Sequence, residues 1–111
     1  TFKNKKSLLA MTAHIIYKDI DPINTATHSK KIITLIRKSI KFNNILMSDD
    51  ISMKSLKYSI KQNTLKAFSA GCNLVLHCNG NYKEMLIVAA NSPLLSKFVI
   101  KKTSQLYKVL S

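Results

Sequence analysis

The amino-acid sequence predicts an α/β fold built from three consecutive βα units, and three observations predict it. Short apolar runs occur at Ser7–Tyr17, Ile45–Ser48 and Asn73–Cys78, each of strand length and bounded by turn-forming residues. Between and after them, apolar residues recur at helical spacing with Lys on the opposite face. The chain is 111 residues long with 46% hydrophobic residues, enough for one core and not for two.

The first run, Ser7-Leu-Leu-Ala-Met-Thr-Ala-His-Ile-Ile-Tyr17, is nearly continuous in apolar character, which suits a strand buried on both faces of a parallel sheet. His14 is a lone polar side chain near its end, and the bland reading is a hydrogen-bonded core histidine. Lys18–His28 is a connector with a turn-forming cluster at Asp19, Asp21 and Pro22. Ser29 then caps a helix in which Ile32, Ile33, Ile36 and Ile40 form one face, while Lys30, Lys31, Arg37, Lys38 and Lys41 project elsewhere.

After a turn at Phe42-Asn43-Asn44, the second strand runs Ile45–Ser48 and delivers Asp49 and Asp50 at its carboxyl end. A strand, a helix and a second strand make a βαβ unit with parallel strands and a right-handed crossover. Ser59–Ala70 is a second helix closed by Gly71, the third strand is Asn73–Cys78, and Asn79-Gly80-Asn81 ends it. The rest is helical. Tyr82–Ala90 is one segment, and Ser92 with Pro93 opens another whose stripe is Leu94, Leu95, Phe98, Val99, Leu106 and Leu110. Three strands cannot close a barrel, which takes eight strands and about 250 residues. The start at Thr1 instead of Met and the dense apolar strands favour a piece of a larger barrel over a small open sheet.

Lys and Arg number 18 against five acidic residues, for a net charge of +13. Such a balance suits an anionic partner, yet Arg37 is the sole Arg and the Lys are scattered, so nucleic acid is not the expected partner and a solvated surface is. The alternative kept open is a basic module binding nucleic acid or an acidic surface. Cys72 and Cys78, spaced by five residues with no second pair, fit neither a zinc site nor a disulfide framework and read as buried reduced thiols. No apolar run approaches the roughly 20 residues of a membrane span, and without a leader segment the expected location is the cytoplasm.

Two of the five acids stand together in Ile45-Leu-Met-Ser-Asp-Asp-Ile-Ser-Met53. Adjacent residues leaving a strand point in opposite directions, so both carboxylates cannot serve one centre. Asp50 is read as structural, capping the following turn. By residue type alone, Asp49 would also be a turn cap.

Several stretches together change that reading. Thr12-Ala13-His14-Ile15 with Tyr17, Asp21-Pro22, Ala26-Thr27-His28-Ser29, Phe42, Ser48-Asp49-Asp50-Ile51-Ser52-Met53 and Ala70-Gly71-Cys72-Asn73-Leu74-Val75-Leu76 resemble, in order and spacing, the closing third of bacterial β-N-acetylhexosaminidases of glycoside hydrolase family 3. The resemblance implies the last three strands of a TIM-type (β/α)8 barrel, residues 1–111 being a carboxyl-terminal fragment of the catalytic domain. It implies Asp49 as the nucleophile of a retaining glycosidase, with His14 lining the sugar pocket or bonding to the nucleophile's surroundings. It implies a substrate containing terminal N-acetylglucosamine from cell-wall peptidoglycan fragments, and no metal or organic cofactor. A retaining site needs an ionised carboxylate facing an acid/base partner across the scissile bond. The family's Lys-His-Phe-Pro-Gly-His type acid/base loop has no counterpart here, so the isolated chain is expected to be inactive, and an amino-terminal piece of the barrel is the expected partner. Asn43-Asn44 and Asn73, where the family often has Asp-Gly and Asp, are read as mild changes of turn chemistry.

Overall fold

A computed structural model describes residues 7–110. Strand β1 (Leu9–Thr12) is followed by a 3-10 turn (Ala26–His28) and helix α1 (Lys30–Lys38). Strand β2 (Ile45–Asp50), helix α2 (Ile60–Ala70), strand β3 (Leu74–Leu76) and helices α3 (Tyr82–Ala90) and α4 (Lys97–Leu110) complete the order. The strands form one parallel sheet in the order β1-β2-β3, with β1 and β2 in register from Leu9 opposite Ile45 to Thr12 opposite Ser48. The α/β class and the parallel βα rhythm expected from the sequence are both present.

Helices α1 and α2 cover one face of the sheet. Ile32, Ile33 and Ile36 of α1 meet Leu46 of β2 and Ala67 and Ala70 of α2, together with Ala26, Phe42 and Cys72. Ser29 starts α1 as expected, its hydroxyl accepting the Ile32 amide at 3.2 Å. Helix α1 stops at Lys38, short of the expected Lys41. The Ser39 and Ile40 amides share the Leu35 carbonyl, and Lys41 takes a left-handed conformation at φ 63°. Gly71, at φ 124°, ends α2, and a Cβ there would sit 2.9 Å from Ile33 Cγ2. Glycine is therefore required both by the backbone conformation and by the approach of α1.

Three expectations need correction. The first strand is not an eleven-residue element buried on both faces. It ends at Thr12, after which Thr27 Oγ1 lies 3.2 Å from the Ala13 carbonyl and the Ala26 amide donates to the Ile15 carbonyl, drawing the chain away from β2. As an edge strand it also leaves Leu9 and Met11 exposed. The last helix is capped by Ser96 and not Ser92. Ser96 Oγ accepts the Val99 amide at 3.1 Å, while Ser92 Oγ donates back to Val88 O of α3. Pro93, Leu94 and Leu95 thus form a connector, with Leu94 96% exposed and outside any packed stripe. Finally, Cys78 is exposed and only Cys72 is buried; both are free thiols, and burial pushes the Cys72 thiol up to about 11.

At the amino ends of the strands, Arg37 ties the layers together. Its Nη1 donates to the carbonyls of Phe42 (2.9 Å) and Asn44 (2.6 Å), and its Nη2 donates to Asn73 Oδ1 (2.6 Å). Its guanidinium lies over the rings of Phe42 and Phe98, which brings α4 to the same place. Burial lowers its pKa, because desolvation disfavours the cation. Asn73 Oδ1 also accepts the Leu46 amide at 2.9 Å, so Asn73 is a structural acceptor and not a turn residue alone.

Two outcomes follow from this architecture. Asn73→Asp supplies a carboxylate to a half-buried guanidinium and should stabilise the chain by about 1 kcal/mol, seen as a rise of about 5 °C in the thermal midpoint by circular dichroism. Among the described residues the outer edges of β1 and β3 are both unpaired, and no residue of α3 is buried. The purified chain should therefore associate, eluting from size exclusion as oligomers; a sharp monomer peak would contradict this.

Candidate functional site

The carboxyl ends of the strands gather the acidic pair and two histidines. Strand β2 carries Asp49 and Asp50 as its last two positions, two residues further than the sequence suggests. Between Met47 and Asp50 the pairing with β3 is irregular: Met47 faces Leu74 and Asp50 faces Leu76, three steps against two. This bulge at Ser48–Asp49 breaks the alternation of the strand, and bulges bend a strand and re-aim its side chains. The ladder is repaired by side chains. Ser48 Oγ accepts the Leu76 amide at 3.1 Å, and Asp50 Oδ1 accepts the Cys78 amide at 3.1 Å.

Asp49 is half-buried. One carboxylate oxygen, Oδ1, accepts the Asp50 amide at 2.8 Å, and Oδ2 has no hydrogen-bond partner among the described residues. A carboxylate oriented through one oxygen and open at the other suits a nucleophile or general base.

Asp50 differs at every atom. Its carboxylate takes the Ser52 amide at 3.0 Å, the Ser52 hydroxyl at 2.7 and 2.8 Å, and the Cys78 amide. Burial alone would raise its pKa, but the amide and hydroxyl of Ser52, the Cys78 amide and the nearby His77 outweigh that and hold it below the ordinary value. Such a group is an ionised structural acceptor, as the sequence reading expected. The two acids thus occupy separate roles.

His14, expected to line the sugar pocket or to bond to the nucleophile's surroundings, lies in the loop after β1, and both of its ring nitrogens are engaged. Nε2 is 2.8 Å from the Asp50 carbonyl and Nδ1 is 2.8 Å from Thr27 Oγ1. His77, after β3, places Nε2 2.8 Å from Glu84 Oε1 on α3, and Asn79 Nδ2 donates to the same oxygen at 2.7 Å. Thr27, Ser48 and Ser52 were not singled out as site residues from the sequence. Only Ser52 had a readable signal, because a Ser two places after an Asp is a turn pattern.

Below this rim, Asp21 Oδ1 accepts the Ile23 and Asn24 amides, both at 3.1 Å, and Oδ2 accepts the Ser29 hydroxyl at 2.6 Å. The Ser29 hydroxyl, then the Asn24 amide, hold Asp21 down to about 2 against a burial effect of opposite sign. His28 is buried, and its Nε2 lacks a partner among the described residues. Burial pushes its pKa down to about 4, with a backbone hydrogen bond at Asn63 opposing and the charges of His14 and Lys66 adding to the fall.

Among the described residues, no group of three or more His, Cys, Asp or Glu side chains could hold a metal ion. No helix among the described residues is long and apolar enough to cross a membrane. The one Arg is spent inside the fold, which leaves Lys alone for any anionic partner and disfavours the basic-module reading.

Comparison with known proteins adds a family to this geometry. Residues 3–106 match the family described as Glycosyl hydrolase family 3 N terminal domain. The curated beta-hexosaminidase of Idiomarina loihiensis is 31% identical over 85 residues, covering 75% of this chain and 26% of the relative. That of Nitrosomonas eutropha is 38% identical over 71 residues, covering 62% and 20%. The crystal structure of beta-N-acetylhexosaminidase from Beutenbergia cavernae superposes with a TM-score of 0.69 at 26% identity, over 77% of this chain and 26% of that one. A family 3 beta-N-acetylglucosaminidase from Paenibacillus shares the fold over 94% of this chain and 22% of its own, with a TM-score of 0.72 at 18% identity. The chain therefore spans about a quarter of the length of these relatives.

The loops at this rim carry a pH dependence. Unfolded His28 takes up its proton near 6.5 and folded His28 near 4, so stability is complete above pH 6.5 and declines as pH falls from there to about 4. Asp21 extends the decline, from its unfolded value near 3.8 down to about 2. Thermal midpoints against pH should show both legs, and His28→Gln should flatten the upper one alone.

Proposed function

The chain belongs to the glycosyl hydrolase family 3 N-terminal domain family, and on that premise we propose that it forms the closing third of a (β/α)8 catalytic barrel and carries the nucleophile of a retaining β-N-acetylhexosaminidase. The observation that carries this reading is the separation of the two acids by the bulge in β2. Asp50 is saturated with donors, while Asp49 keeps one oxygen without a partner among the described residues.

Asp49 attacks the anomeric carbon of a terminal N-acetylglucosamine, and the leaving oxygen takes a proton from an acid supplied by the rest of the barrel. Water, deprotonated by the same group acting as base, then cleaves the glycosyl-enzyme ester and restores the Asp49 carboxylate. The curated relatives named as beta-hexosaminidases support this substrate class. The resemblance extends it to peptidoglycan fragments recycled in the cytoplasm. The acid/base and most of the sugar-binding surface lie outside these 111 residues, so an amino-terminal piece of the barrel is the partner that completes the enzyme and covers the open strand edges.

Co-expression with the part of the Idiomarina loihiensis relative that precedes the matched stretch should give hydrolysis of an aryl N-acetylglucosaminide. Asp49→Ala should lower that rate by about 10⁴-fold or more. The 111-residue chain alone should show no turnover. Turnover by the chain alone that Asp49→Ala abolishes would overturn the need for a partner, and an active Asp49→Ala assembly would overturn the nucleophile.

A further inference from the structure

Strands β1 and β2 stop pairing at Thr12 opposite Ser48, so Asp49 and Asp50 extend past the last β1 partner. On the β3 side Asp50 remains paired with Leu76. On the β1 side the His14 ring stands where the ladder would have continued, with Nε2 at 2.8 Å from the Asp50 carbonyl, which accepts the Met53 amide as well at a longer 3.2 Å. The Asp50 amide in turn holds Asp49 Oδ1 at 2.8 Å. The residue that His14 grips is thus the one that orients the Asp49 carboxylate.

The donors and acceptors fix the tautomer. A backbone carbonyl only accepts, so His14 Nε2 carries a proton, and Nδ1 of the neutral ring must accept from Thr27 Oγ1. The Thr27 hydroxyl has a single proton and gives it to the ring, and its oxygen accepts from Thr12 Oγ1 at 2.9 Å. Both threonines are buried, Thr27 completely. Were His14 protonated, Thr27 could instead accept from Nδ1 and donate to the Ala13 carbonyl at 3.2 Å. The hydroxyl therefore bonds to the ring in either state, its proton turned to Nδ1 in one and to the Ala13 carbonyl in the other.

We propose that His14 is a positioning residue for Asp49: seated by the Thr12–Thr27 hydroxyl pair, its ring anchors the Asp50 carbonyl and thereby the Asp49–Asp50 peptide on the side that β1 leaves unpaired. This rests on Asp49 being the nucleophile, and it gives His14 a role other than direct contact with the sugar.

The test has two arms. Amide exchange by mass spectrometry on the 111-residue chain needs no catalysis. His14→Ala should speed exchange of the Asp50 and Ile51 amides by about tenfold or more while leaving α1 within about threefold, and Thr27→Val should speed the same two amides by about threefold. His14→Gln, which keeps a side-chain N–H donor, should restore them. A uniform rise along the chain, or no change at residues 50 and 51, would overturn the proposal. In the assembly with the Idiomarina portion, His14→Ala should lower kcat by about tenfold or more with KM within about twofold, and His14→Gln should recover kcat. Equal kcat for His14→Ala and the parent would also overturn it. If the parent assembly is inactive, the glycosidase reading fails, and the exchange arm still decides whether His14 anchors residue 50.

Discussion

Asp50 is the residue on which the carboxyl end of the sheet depends. Its amide bonds to the neighbouring Asp49, its carbonyl to the loop after β1 and to the Met53 amide, and its carboxylate to the two turns that follow β2 and β3. A buried or half-buried polar group is costly when unpaired and rigidifying when fully paired. Here the pairing is complete, and its low pKa keeps the carboxylate an acceptor throughout the neutral range. The order of the rim follows from one side chain being ionised.

Arg37 plays the matching part at the other end of the strands. Its three hydrogen bonds and two aromatic contacts join α1, the turn into β2, the start of β3 and α4. The two poles differ in chemistry as well as place: one is an anion surrounded by amides and hydroxyls, the other a cation surrounded by carbonyls and rings. Between them lies an apolar layer of Ile32, Ile33, Ile36, Leu46 and Ala67. Charge is thus kept to the two ends of a sheet whose middle is dry on the helical side.

Much of this was legible in the sequence. The Ile32-Ile33-Ile36 spacing, the Ser29 cap and Gly71 are local signals, and each appears where its local physics places it; the three apolar runs each contain a strand, though the first and third strands are shorter than their runs. That Asp49 and Asp50 meet different surroundings was legible too, although the reason differs. Simple alternation of side chains predicted it, whereas the structure adds a bulge that alternation cannot reveal. What the sequence hid was long-range. Thr27 lies 13 residues from His14, Asn73 lies 36 from Arg37, and no periodicity links either pair. The Ser92-Pro93 signal misled because two serines compete for one cap, and the nearer one had already turned its hydroxyl back to Val88.

The bulge at Ser48–Asp49 has a consequence for how this segment can change over time. A strand with one surplus residue is sensitive to length in a way that it is not sensitive to side-chain size, because removing one residue restores regular pairing and turns every later side chain to the opposite face. Deleting Ser48, for instance, would move Asp50 into the place of Asp49 and Asp49 into the place of Ser48, so that neither carboxylate keeps its present neighbours. Sequence drift in this stretch is therefore constrained by residue count before it is constrained by residue type, and an insertion or deletion is the change from which the rim has no local means of recovery.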